Sequence, residues 1–324
     1  LVDLCISCSH IVRIFKIYLI GIKILKTYDT NNYTDVYFSA YLLFYLPYSS
    51  TVSGIHFRGN RMSYIRYRKQ IDFIFNFQLS IKEMKDTITG AEALMRSLEH
   101  EGVQTIFGYP GGSIMPVFDA LYDHRKTLNH ILVRHEQAAT HAAEGFARVS
   151  GEVGVCIVTS GPGATNTLTG VADAMLDSTP MVVIAGQVSI SALGTDAFQE
   201  VDLVGLAQPI SKWSYQIRRP EDIAWAVSRA FYIARSGRPG PVVLDFPKNA
   251  QVDMAEWKPA HVDFVRSYVP YPTPDEHAIA EAAALINDAE RPLALVGQGV
   301  ELGNAHNELL EFIEKAGIPA ARTL

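Results

Sequence analysis

From Thr87 onward the chain alternates short β-branched runs with stretches of helical periodicity, and few architectures accept that alternation. Helices are expected over 89–101, 115–124, 136–149, 163–176, 221–235, 276–288 and 303–316. Strands are expected between them over 104–107, 130–133, 153–158, 181–185, 241–245 and 293–297. Repeated βαβ units of this kind build an α/β, doubly wound parallel sheet. The stretch 251–273, with Pro259, Pro270 and Pro272, breaks both periodicities and is read as a linker. Residues 84–250 then form one α/β domain. Residues 274–324 form the start of a second, cut short after helix, strand, helix and the beginning of another strand.

Composition narrows the class. With 48% hydrophobic residues, 324 residues are enough to fill two cores of ordinary size. The net charge of −6 hides an asymmetry. Residues 1–83 hold 10 Lys/Arg and 5 Asp/Glu, a balance of +5, which leaves −11 for the rest. An acidic body of that kind has little use for nucleic acid. Three cysteines, Cys5, Cys8 and Cys156, make no disulfide framework and fit a reduced, intracellular compartment. Cys5-Ile6-Ser7-Cys8 has the spacing of half a zinc site, but no second pair completes it, so no metal site is assigned there.

Residues 1–83 carry 9 of the 15 tyrosines and 12 isoleucines. Their apolar stretches are short or interrupted by Arg13, Lys16 and Lys23, so they read neither as a membrane anchor nor as a signal peptide, and only loosely as a transit peptide. They are left as an unassigned extension, upstream of a body that starts at Met84.

The segment Leu132-Val133-Arg134-His135-Glu136-Gln137-Ala138-Ala139 places one carboxylate at a strand-to-helix junction walled by alanines. Such a wall disfavours the charged form, which suits a group that holds and passes a proton. Taken alone, Glu136 reads first as a helix-start glutamate favoured by the helix dipole, and the company it keeps overturns that reading. Four further signatures accompany it. Tyr109-Pro110-Gly111-Gly112-Ser113 follows a strand, and its glycines let a flat ligand approach the main chain, unless it is an ordinary βα turn. Thr159-Ser160-Gly161-Pro162-Gly163-Ala164-Thr165-Asn166 resembles a phosphate loop but lacks Gly-Lys-Ser/Thr, and Pro162 removes a needed N–H. Gly194–Glu200 sets Phe198 and Gln199 on a loop with no evident core to fill. Ser236-Gly237-Arg238-Pro239-Gly240-Pro241 places Arg238 between a helix and a strand, where it either neutralises helix carbonyls or binds phosphate.

In this order and spacing the signatures, from near Met84 to Leu324, closely resemble the large catalytic subunits of the acetolactate synthase (acetohydroxyacid synthase) family. These enzymes depend on thiamine diphosphate and FAD. The resemblance implies a transferase of branched-chain amino acid biosynthesis, on the routes to isoleucine and valine. It decarboxylates pyruvate and condenses the hydroxyethyl unit with a second 2-keto acid. Glu136 would bond the cofactor pyrimidine and promote its imino form, with Tyr109, Pro110, Gly111 and Gly112 lying against the ring. Gln199 would stand near the reacting carbon. Ser113, where the family often has alanine, would line the substrate channel together with Ser189, Phe198 and Lys248, and Lys248 would attract a keto-acid carboxylate. Arg238, Gly297 and Gly299 would hold FAD, the two glycines at a strand end where nucleotides meet open α/β sheets.

Magnesium and the diphosphate would be held by a third domain that residues 1–324 do not contain, so the isolated chain is expected to be inactive. Sites in the family lie between subunits, which implies a homodimer or tetramer. A small regulatory subunit is a further expected partner, and the setting is cytoplasmic, or an organelle stroma or matrix in a eukaryote, without membrane insertion. Three other readings stay open. They are another thiamine-diphosphate decarboxylase or carboligase, a flavin oxidoreductase (which lacks its Gly-x-Gly-x-x-Gly), and an inactive dimerising remnant.

Overall fold

A computed structural model describes residues 87–323, together with the backbone of 16–26, 36–46 and 49–57. The last three are strands β1 (Lys16–Lys26), β2 (Val36–Leu46) and β3 (Ser49–Phe57), paired antiparallel in that order. The remaining expectations for residues 1–83, including the Cys5/Cys8 pair, lie outside the described residues. Among the described residues no helix is long and apolar enough to cross a membrane.

The main unit opens with β4 (Thr87–Thr89), followed by α1 (Gly90–His100), β5 (Thr105–Gly108), α2 (Met115–Asp123), β6 (Asn129–Leu132) and α3 (Glu136–Ser150). It continues through β7 (Gly154–Val158), α4 (Pro162–Thr165), α5 (Leu168–Leu176), β8 (Met181–Gln187) and α6 (Leu203–Ala207). Then come β9 (Trp213–Gln216), α7 (Ile223–Arg235), β10 (Pro241–Pro247), α8 (Lys248–Val252) and β11 (Met254–Glu256). Six strands form one sheet in the order β6-β5-β7-β8-β10-β9, and every pairing is parallel.

Strand character explains the order. β7, β8 and β10 are buried at every residue and are apolar apart from Gln187 at the end of β8 and Asp245 in β10, as suits central parallel strands covered on both faces. Alternate side chains feed two cores. Ile157, Ile184 and Leu244 meet Leu94 and Leu98 of α1, Leu121 of α2 and Phe231 of α7 on one face. Cys156, Val183 and Val243 meet Ala139 and Ala143 of α3 and Val171 and Ala174 of α5 on the other. Helices on both faces make the sheet doubly wound, as the sequence indicates. The alanines of α3 let that helix sit close to the strands.

The departures from expectation are local. The helix expected over 163–176 is two pieces, because the chain tightens at Asn166–Thr167, where Thr167 N–H donates to Ala164 O at 3.1 Å, three residues back. The edge strand β9 escapes a pattern search because its residues are polar and aromatic. Trp213 and Tyr215 stack at 5.1 Å, and Trp225 meets both edge-on. The stretch 251–273 is not a free connector throughout. β11 pairs antiparallel with β4, Val265 is buried in the main core, and the Tyr268 hydroxyl donates to Ser236 O at 2.9 Å while the Lys212 ammonium donates to it at 3.0 Å. Tertiary contacts here overrode the proline-rich local signal.

The C-terminal unit contains α9 (Glu276–Asp288), β12 (Ala294–Val296), α10 (Gly299–Leu302), α11 (His306–Ala316) and β13 (Ala320–Arg322), with β12 and β13 parallel.

Candidate active site

The sheet fixes where a ligand can sit. From β5 the chain steps outward to β6 and then returns past β5 to β7, so the loops leaving the C-terminal ends of β5 and β7 diverge and open a crevice between them. The loop after β5 is Tyr109–Ser113, the loop after β7 is Thr159–Asn166, and the neighbouring β6 delivers Glu136 at the first turn of α3. Three of the sequence signatures thus meet at one edge.

Glu136 is 8% exposed, and its Oε2 accepts from Asn166 Nδ2 at 2.8 Å. Among the described residues nothing donates to Oε1. The residue before it caps the same helix, since His135 Nδ1 accepts from Gln137 N–H at 3.2 Å. Behind it, burial pushes the Cys156 thiol up, and the Glu136 charge adds to that, so the thiol stays neutral.

Small residues set the distance between the loops. A side chain on Gly111 or Gly163 would strike Thr159 at 2.5–2.6 Å, so both backbones lie against that threonine. Gly161 has φ 58° and ψ −121°, a conformation open to glycine, and an added Cβ would meet Gln199 Cβ at 2.8 Å. This packing brings the Gln199 backbone over the crevice. Gln199 itself holds φ 60°, a left-handed position that costs a non-glycine residue of order 1 kcal/mol.

Ser113 ties the first loop down. Its hydroxyl and that of Ser160 lie 2.7 Å apart, its N–H donates to Thr159 Oγ1 at 3.3 Å, and its carbonyl accepts from Gln251 Nε2 at 2.7 Å. Gln251 is fully buried and also donates to Phe246 O at 2.7 Å, which links this loop to β10.

The other expected site residues are distributed more widely. Tyr109, Pro110 and Gly112 are exposed at the crevice mouth. Ser189 is half-buried and Lys248 exposed, and their loops are joined by Ile190 N–H donating to Asn249 Oδ1 at 3.1 Å. Phe198 is 87% exposed and belongs to neither core. Arg238 precedes β10 and so lies at the opposite edge of the sheet, donating to Ser178 Oγ at 2.7 Å and to Met175 O and Leu176 O at 3.2 and 2.9 Å. It neutralises the end of α5, one of the two roles its position allows. Gly297 and Gly299 follow β12 in the C-terminal unit.

Sequence reading missed Asn166, Thr159, Ser160 and Gln251. The first three stand in the loop that lacks the features of a phosphate cradle and that the resemblance assigns, as a whole and without naming a residue, to the dimer face beside the active site. Gln251 was absorbed in a stretch assigned to a linker.

Comparison with known proteins bears on the family. The family model described as thiamine pyrophosphate enzyme, N-terminal TPP binding domain, matches residues 88–206, and that of the central domain matches residues 279–324. The chain is 50% identical over 242 residues to the acetolactate synthase large subunit of Corynebacterium glutamicum, covering 74% of this chain and 38% of the relative. It is 51% identical over 239 residues to the probable acetolactate synthase large subunit of Methanocaldococcus jannaschii, covering 72% and 40%. It is 49% identical over 248 residues to the acetolactate synthase of Arthrospira platensis, covering 75% and 43%. The chain therefore spans about two fifths of the length of these relatives. By its two matched domains, its parallel sheet and its identity to these subunits, the chain belongs to the thiamine pyrophosphate enzyme family and, within it, to the acetolactate synthase large subunits.

Proposed function

We propose that residues 87–256 form the pyrimidine-activating half of an acetolactate synthase active site, acting on pyruvate and a second 2-keto acid in branched-chain amino acid biosynthesis. The observation that carries this reading is Glu136. It is a buried carboxylate at the crevice, with one oxygen held by Asn166 and the other without a protein donor among the described residues. Beside it the backbones of Gly111 and Gly163 both lie against Thr159, so the two loops that flank the carboxylate approach each other closely.

When bound, thiamine diphosphate supplies the acidic carbon that adds to a keto group and accepts the electrons of decarboxylation. The chain's residues do the rest. Glu136 Oε1 holds and returns a proton on the pyrimidine, Gln199 covers the crevice from the side of Gly161, and Lys248 draws in the carboxylate of the keto acid. The diphosphate and its magnesium ion would be held by a further domain. FAD binding through Arg238, Gly297 and Gly299 rests on the resemblance alone; the Arg238 guanidinium is engaged with Ser178 and the end of α5. A homodimer or tetramer, a small regulatory subunit and a cytoplasmic or organellar setting belong to the same proposal.

The test is Glu136→Gln in a complete large subunit carrying residues 87–324 of this chain. Turnover of pyruvate is expected to fall by about 10²–10⁴-fold with the circular dichroism unchanged. Near-normal turnover would remove Glu136 from this role.

A further inference from the structure

We propose that Asn166 is a positioning residue for Glu136, an uncharged donor that fixes one carboxylate oxygen so that the other faces the crevice. The inference deepens the reading above and rests on it. The contact joins residues thirty positions apart and runs from Asn166 Nδ2 to Glu136 Oε2 at 2.8 Å, the distance of a strong bond to a charged acceptor.

Helix geometry alone does not call for this side chain. At the junction of α4 and α5 the backbone is already satisfied. Asn166 N–H donates to Pro162 O at 2.9 Å, Thr167 N–H donates to Ala164 O at 3.1 Å, and the Thr167 hydroxyl donates to the same carbonyl at 2.6 Å. The amide is therefore free to reach out of the turn. The local tightening that splits the expected helix is what places the asparagine at this point on the crevice wall.

The chemistry favours an amide over the alternatives. A carboxylate needs a donor at one oxygen to stop it rotating. A lysine or arginine there would hold it as an ion pair and oppose its protonation. The Asn166 amide donates at every pH and carries no charge, so it orients the carboxylate without forming an ion pair with it. The buried Cys156 thiol, kept neutral by burial first and by the Glu136 charge second, adds no competing anion.

Two measurements test this. On the chain of 324 residues, nitrogen-15 NMR follows the side-chain amide of Asn166 against pH. Its signals are expected to shift as Glu136 titrates and to become flat in Glu136→Gln; a flat response in the unmodified chain would overturn the contact. In the complete large subunit without substrate, exchange of the thiazolium proton of thiamine diphosphate with deuterated water reports activation, and calorimetry reports cofactor affinity. Asn166→Ala should slow exchange at least about tenfold while affinity stays within about threefold, as expected when a reacting group is misplaced rather than lost. Asn166→Asp should slow it further and displace its pH profile, since two adjacent carboxylates resist ionising together. Exchange at the unmodified rate in Asn166→Ala, with Glu136→Gln collapsed, overturns the role of Asn166 alone. Unimpaired exchange in Glu136→Gln overturns the reading of the site instead.

Discussion

The main unit and the C-terminal unit are written in the same alternating code, yet they differ in what their apolar residues touch. In α1 and α7 the hydrophobic face is buried to completion, with Leu94, Leu98 and Ile223 at 0% exposure. In α9, α11 and β12 no residue is buried, and Leu285, Leu293 and Leu295 are 67–75% exposed. Periodicity is therefore enough to form helices and strands but does not make a core. A core also requires that neighbouring elements supply the facing surface, and in the C-terminal unit two parallel strands and three helices do not enclose one.

The largest effect that would sharpen this contrast is a matched truncation. Leu94→Ala should cost about 2–5 kcal/mol, because it empties a site packed on all sides. Leu295→Ala should stay within about 0.5 kcal/mol, as at an exposed position. Denaturant unfolding followed by far-ultraviolet circular dichroism, to which the helices of both units contribute, measures both. A large loss for Leu295→Ala would erase the difference.

A smaller effect concerns Asp245, a buried acid in β10. Burial raises its pKa from 3.8 to about 6, aided by the charge of Asp202 and opposed by bonds from Gln216 and Gln187. The protonated form is thus the one the fold prefers. Stability from this group is complete below about pH 4 and is lost as pH rises through about 6, a change of up to roughly 3 kcal/mol. Asp245→Asn should be the more stable form at pH 7 and should flatten that slope in melts across pH 4–8. An unchanged slope would place its origin elsewhere.

The smallest effect lies at the surface of the same unit. His124 sits between Glu99 Oε1 at 2.8 Å and Glu92 Oε2 at 3.0 Å. Burial alone would lower its pKa, but the two glutamates prevail and raise it above 6.5. Its contribution is present below pH 6.5 and disappears as pH climbs through the raised value. In this half-buried, solvent-screened setting it should amount to less than about 1 kcal/mol. Melts of His124→Gln should match the unmodified chain at pH 8.5 and fall slightly below it at pH 6.

Much of the fold was legible because its central strands are dominated by β-branched and other apolar residues and its helices carry a clean apolar stripe. β9 was not legible, since Trp213-Ser214-Tyr215-Gln216 is stabilised by stacking and by an edge position rather than by alternation. β4 and β11 were not either, because three-residue strands exist only through each other. In the site, Glu136 announced itself by its alanine wall, whereas Asn166 did not. A lone asparagine after a glycine-rich turn carries no period, and its partner is thirty residues away in sequence. The meeting of the two follows from strand order, which periodicity does not encode.

The pairing of β4 with β11, Thr87 opposite Glu256, has a practical consequence. Past this clasp the chain does not depart but runs on as a strap, with Val265 in the main core and the Tyr268 hydroxyl bonded to Ser236. An exchange of the unit between related subunits therefore has to carry residues 87 to 268 as one piece, since a cut directly after Glu256 would strip the strap from its core.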